Sequence, residues 1–266
     1  MRSRPRQQAE AGRQRIPERL VLGLAGFVFL IALWEGLSQA ELIKQAVFSR
    51  PSAIWASAVR DIGNGTLQTH LLVSGQEYVF GLGLSILIAI PLGLAIGMFW
   101  RVNYLLDPWL SALYATPTVA LVPLIILLFG IGLESKIVVV FLEAFILITV
   151  STITGVTVAE ARHHELAESF RASRLTRFTT VTVPSSVPFM LTGLRLGVGR
   201  GIVGVVVAEF LAANQGIGFY IALNGSLLQS SRVYLGIIIL GILGLVMGEA
   251  VRRLERRFER WRPQIN

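Results

Sequence analysis

The sequence predicts an all-α integral membrane protein with six transmembrane helices and both termini in the cytoplasm. Three observations predict it. Of 266 residues, 53% are hydrophobic and only 15% charged, against about 25% charged in soluble domains. The apolar residues gather into runs long enough to cross a bilayer, which takes roughly 20 residues each. Lys and Arg crowd the segments on one side of those runs, seventeen against five, and positive residues are retained on the cytoplasmic face.

Residues 1–19 form a basic tail carrying Arg2, Arg4, Arg6, Arg13, Arg15 and Arg19. The first span covers about 20–36. Ser38 and Ala40 after it also fit a signal-peptide cleavage site, but cleavage would leave an odd number of spans and spoil the charge asymmetry, so the run is read as retained. On the outer side, Pro51 and Ser52 suit a helix start, and residues 54–62 read as an amphipathic interfacial helix closed by the turn Gly63-Asn64-Gly65. Glu77 then reads as interfacial and solvated, just ahead of the second span at 78–100. The third span, 108–132, contains Pro117 and Pro123, and the second contains Pro91; kinks are expected there, while lipid still demands helices. The fourth, 137–159, carries one ionisable residue, Glu143, and the fifth, 184–212, carries Arg195, Arg200 and Glu209. The sixth, 233–250, leads into a basic tail, 251–266. The six spans make one transmembrane domain, residues 20–250, and the tails read as anchors against anionic lipid headgroups, not as nucleic-acid-binding segments.

Several chemistries are excluded by counting. Cysteine is absent and there are three histidines, so thiolate chemistry is ruled out and a metal cluster has little to draw on. His163 and His164 are adjacent and face apart on a helix. The two lysines, Lys44 and Lys136, are preceded by Ile43 and Ser135, so no Gly-Lys-Ser/Thr loop can cradle a nucleotide phosphate. A chain that does work in a membrane must then draw its energy from elsewhere.

Between the fourth and fifth spans, residues 160–183 form a polar cytoplasmic loop read as helix, turn, helix. Leu166, Ala167 and Phe170 fall on one face, and Arg171, Arg174 and Arg177 recur along another. Pro184 and Pro188 suit the first turn of the following helix.

At these residues the chain resembles the membrane-spanning subunits of ABC importers, the binding-protein-dependent permeases. Their cytoplasmic signature is Glu-Ala-Ala, three residues, Gly, nine residues, Ile, one residue, Leu-Pro. Glu165, Ala167, Arg171 in the glycine slot, Val181, Val183 and Pro184 keep that register without insertion, with Leu166 as the second residue of the triplet. Ser49-Arg50-Pro51-Ser52-Ala53, Ala115-Thr116-Pro117, Leu128-Phe129-Gly130-Ile131-Gly132, Thr192-Gly193-Leu194-Arg195 and Val207-Ala208-Glu209-Phe210 look like the nitrate/sulfonate/taurine branch. The resemblance implies a type I permease fold in a bacterial inner membrane and a non-catalytic subunit. It implies as partners a second permease copy, a solute-binding protein and ABC ATPase subunits, which use ATP and Mg while this chain binds no cofactor. The implied solute is small and expected to be anionic, of the nitrate, sulfonate, taurine or bicarbonate class, with a neutral heterocycle as the open alternative. Glu165, Ala167, Glu168, Phe170, Arg171, Ala172, Ser173 and Arg174 are the expected ATPase-coupling residues.

Charges inside the membrane are costly and point to partners or a wet cavity. Glu143 is expected to pair with Arg195 or Arg200, or else to face the pathway. Arg195, Arg200 and Glu209 are pathway or gate candidates, and Gly193, Gly197 and Gly201 mark a helix-packing stripe, expected to be dimer-facing or pathway-lining. The competing reading is a stand-alone secondary transporter or channel driven by an ion gradient, with Glu143 as its ion site.

Overall fold

The computed structural model describes residues 15–40, 48–169 and 173–258, and those residues are helical apart from short connections. The helices are α1 (Arg15–Gln39), α2 (Pro51–Gly63), α3 (Thr66–Met98), α4 (Trp100–Ala115), α5 (Thr118–Phe129), α6 (Leu133–Ser169), α7 (Arg174–Arg177), α8 (Val183–Ala212), α9 (Ile217–Ser226) and α10 (Ser230–Phe258). A π-helical turn, Phe178–Thr182, joins α7 to α8.

Four stretches are long and apolar enough to cross a membrane: 21–39, 66–98, 133–159 and 230–257. Two bent pairs meet the same test jointly, α4 with α5 and the α7–α8 run with α9, which brings the possible total to six. The third expected span is therefore not one kinked helix over 108–132. Its two halves meet at 103°. Thr116 is extended (φ −83°, ψ 123°) ahead of Pro117, because a proline ring drives the preceding residue out of the helical region. Pro91, Pro108 and Pro123 remain inside α3, α4 and α5.

Helix α2 begins at Pro51, and Glu35 of α1 caps it, accepting from Ser52 N (3.0 Å) and Ser52 Oγ (2.7 Å). Gly65, with φ +78°, turns the chain directly into α3. Because α3 starts at Thr66, Glu77 lies well inside a helix; it is fully buried, not solvated at an interface as the sequence suggested.

Helix α6 is the centre of the bundle, lying between α3 and α8. Close approach on both sides depends on glycine. A Cβ at Gly93 of α3 would stand 2.7 Å from Thr152 Cβ, and one at Gly193 of α8 would stand 2.6 Å from Ser151 Cβ. Gly197 faces Ile148 of α6, and Gly201 faces Tyr78 of α3. The 193/197/201 stripe thus packs helices within this chain. Ala89, Ala144, Phe145 and Ile148 form one apolar cluster of this core; Val122, Ile125, Val139 and Ala208 form another, under α5. Apolar side chains all round α1 are exposed, among them Val21, Phe27 and Phe29, the pattern of a helix that faces lipid.

Helix α6 runs for 37 residues without a proline, unlike α3, α4, α5 and α8. It continues through the stretch expected to be a separate helix of the cytoplasmic loop. Residues 160–169 contain neither Gly nor Pro and are mostly good helix formers, so nothing in them stops the span where the membrane would.

Candidate functional site

Three sets of buried charge tie the bundle together. In the first, Glu143 of α6 is 5% exposed and Arg200 Nε of α8 lies 3.0 Å from its Oε2. Gly204, one turn along α8, admits the Glu143 stem: a Cβ there would be 3.2 Å from Glu143 Cγ. The Arg200 side chain remains 56% exposed, so this guanidinium joins a buried carboxylate to open space. Arg195 does not share the site; it pairs with Glu255 of α10. The five-residue spacing sends the two arginines to different faces.

The second set lies where α8 turns into α9. Glu209 is buried and accepts from Ser74 Oγ (2.6 Å) and from the backbone N–H of Gly218 (2.5 Å). Ser74 Oγ in turn accepts from Ile217 N at 2.8 Å, and His70 Nδ1 accepts from Gly216 N at 3.0 Å. Gly216 has φ +121°, and any Cβ there would collide with the Glu209 carboxylate; only glycine fits both demands. Next to Glu209 is Glu77, whose Oε1 takes a 2.5 Å bond from Lys136 Nζ. Both of those side chains are buried.

In the third set Asp61 of α2, also fully buried, accepts from Arg232 Nε (2.8 Å), Arg232 Nη2 (2.9 Å) and Tyr220 Oη (2.6 Å). Burial pushes its carboxyl up, but the bonds from Arg232 and Tyr220 outweigh it and hold the group below its ordinary value. The three residues join α2, α9 and α10.

Sequence reasoning singled out Glu143, Arg195, Arg200 and Glu209 but missed Glu77, Lys136, Ser74 and the Asp61 group. Lys136, Arg232 and Asp61 sit at the ends of apolar runs, where a charge reads as solvated. The signal available was one of proportion: Lys136 is one of two lysines in the chain, and it borders a run that tolerates few charges.

Of the expected coupling residues, Glu165, Ala167 and Glu168 belong to the far end of α6. Phe170, Arg171 and Ala172 lie outside the described residues. Ser173 Oγ accepts from Thr176 N at 3.2 Å and so caps the short α7, which starts at Arg174.

Comparison with known proteins concerns the chain as a whole. A sequence model of the family described as "Binding-protein-dependent transport system inner membrane component" matches residues 85–260. The taurine transport system permease protein TauC of Escherichia coli is 29% identical over 94% of this chain and 93% of the relative. A putative aliphatic sulfonates transport permease protein, SsuC of Bacillus subtilis, is 30% identical over 98% and 95%. The formylaminopyrimidine transport permease protein ThiX of Halalkalibacterium halodurans is 32% identical over 90% and 94%. Among solved structures, a chain of the MetNI methionine ABC transporter in inward-facing conformations superposes with a TM-score of 0.64 at 14% identity, over 73% of this chain and 96% of that one; this likeness is one of fold.

Proposed function

The chain belongs to the binding-protein-dependent transport system inner membrane components, and from that premise we propose that it imports a small anionic solute, driven by ATP hydrolysis on separate subunits. Membership makes it a multi-pass inner-membrane permease of an ABC transport system, and a non-catalytic subunit. The match over residues 85–260 carries the reading, because it takes in the whole segment between α6 and α8.

The solute class is that of sulfonates and taurine, with nitrate and bicarbonate as chemical neighbours. Relatives named for taurine and aliphatic sulfonates support it, as does the half-exposed guanidinium of Arg200. Counting each bent pair as one span gives six, an even number; with the charge asymmetry this favours both termini in the cytoplasm. Glu165, Ala167, Glu168, Phe170, Arg171, Ala172, Ser173 and Arg174 then meet the ATPase, which binds ATP and Mg. The assembly pairs two copies of this chain with two ATPase subunits and receives solute from a binding protein. Arg200, Arg195 and Glu209 are its pathway and gate residues, with Glu143 as the buried partner that holds Arg200. Family membership sets the ion-gradient transporter aside, and a Glu143 carboxylate already paired with Arg200 makes a poor ion site.

The test is uptake of labelled taurine into vesicles holding the full chain together with its ATPase subunits and solute-binding protein. Uptake should require ATP on the ATPase side and survive collapse of the ion gradients by ionophores. Uptake that follows a gradient without ATP would overturn the reading.

A further inference from the structure

We propose that Glu77 and Glu209 hold a single proton between them, and that this proton fastens the turn between α8 and α9 to α3 and α6. The observation behind it is an orphaned atom. Glu77 Oε1 is satisfied by Lys136, but its Oε2 is buried with no hydrogen-bond partner. The group beside it is the Glu209 carboxyl, which is bonded by Ser74, one turn before Glu77 on the same buried face of α3; it is an acceptor whose two oxygens already take bonds from Ser74 Oγ and Gly218 N. Two ionised carboxylates cannot bond each other, and a buried carboxylate oxygen with no donor is strongly unfavourable. One proton resolves both problems, as it does wherever two carboxyls share a dry site.

The donor directions say where it sits. Ser74 accepts from Ile217 N and therefore gives its own hydrogen to Glu209. Glu209 is thus held as an acceptor from two sides, so the shared proton belongs on Glu77 Oε2 and points at Glu209. The chain of bonds then runs in one sense: Lys136 to Glu77 to Glu209. Its charge also closes, with one ammonium, one carboxylate and one neutral acid in a site where an unbalanced charge is expensive.

Among the described residues, other charged groups on the packed elements are engaged elsewhere: on α6 and α8, Glu143 is paired with Arg200, and Arg195 with Glu255 of α10. On α3, His70 is engaged with Gly216 N and the Tyr78 hydroxyl with Val198 O. On α9, Tyr220 gives its hydrogen to Asp61, which also takes Arg232 of α10. Helix α5, which packs on α6 and α8, has no ionisable side chain.

The proton's loss has a definite consequence. It leaves two carboxylates against one ammonium, and the repulsion acts on Glu209, whose bond to Gly218 N anchors α9. Folding of the bundle is then weaker in alkaline than in neutral medium, the loss coming as pH rises through the titration of the pair.

The experiment is infrared spectroscopy and thermal unfolding of the full chain in lipid or detergent. Wild type at neutral pH should show the C=O stretch of a buried protonated carboxyl, absent in both Glu77→Gln and Glu209→Gln. Glu77→Gln should keep its melting temperature from neutral to alkaline medium, because the amide N–H2 supplies a permanent donor to Glu209. Glu209→Gln should melt lower throughout, since its amide N–H2 must face the Gly218 or Ser74 donor. Lys136→Met removes the one positive charge, so the cluster takes a second proton and the carboxyl band grows. A carboxyl band that persists in Glu77→Gln, or an alkaline loss in that variant equal to wild type, overturns the proposal. A band that does not grow in Lys136→Met does so independently.

Discussion

Asp61 is a fully buried carboxylate that keeps its charge, because a bidentate guanidinium and a phenol hydroxyl replace the water it has lost. Its carboxyl is held below the ordinary value, so its contribution to stability is complete above that ordinary value and is lost as pH falls through the depressed one. Acid unfolding of the wild-type chain should therefore include a step that Asp61→Asn lacks. At neutral pH the variant should be less stable by on the order of 3 kcal/mol, the effect of leaving one partner of a buried pair alone, read from thermal unfolding in detergent. Glu143 differs because its partner is half exposed. Because that partner is not enclosed, Glu143→Gln should destabilise the chain by only about 1–2 kcal/mol and leave uptake dependent on ATP. Wild-type stability with abolished uptake would instead place Glu143 in the pathway.

Among the elements, the segment from Glu165 to Arg174 is the one on which transport should depend without folding doing so. Ala172→Trp would overfill a close contact with the ATPase, and Glu165→Lys would reverse a charge at the start of the segment. Both variants should insert normally, yet fail to retain the ATPase on co-purification or hydrolyse ATP without uptake. Normal insertion with wild-type coupling would remove this segment from the role. The register of its motif was readable from Glu165 to Pro184, but the helix boundaries were not. Charge-free runs located α1 and α10 because nothing interrupts them. They misplaced the start of α3 because Gln68, His70 and Gln76 make its first turns look like a loop, although the helix hydrogen bonds form regardless. They merged α4 with α5 because hydropathy is blind to the extended conformation that Pro117 imposes on Thr116.

At the scale of the whole molecule, orientation is the property most open to a direct check. A reporter after Asn266 and another inserted near His163 should both be cytoplasmic, whereas one near Gly63 should be outside; an external signal at His163 would overturn the six-span reading. The class of the fold was legible in the sequence because it follows from composition and from the demands of lipid on the backbone. The Glu77, Lys136 and Glu209 cluster was not legible, because it depends on α3, α6 and α8 meeting through glycine contacts that no single run of residues reveals. The same contacts bear on the 37-residue α6, which holds Lys136 near one end and Glu165 near the other, ~44 Å apart along its axis. With no proline to absorb bending, such a rod works as a lever whose fulcrum is the glycine-lined seam around Ile148. A tilt of about 5° at mid-length moves each end by roughly 2 Å. Were the Glu165 end pushed, that would be enough to break a hydrogen bond at Lys136, and a displacement at one end of the helix would reach the other with no hinge between them.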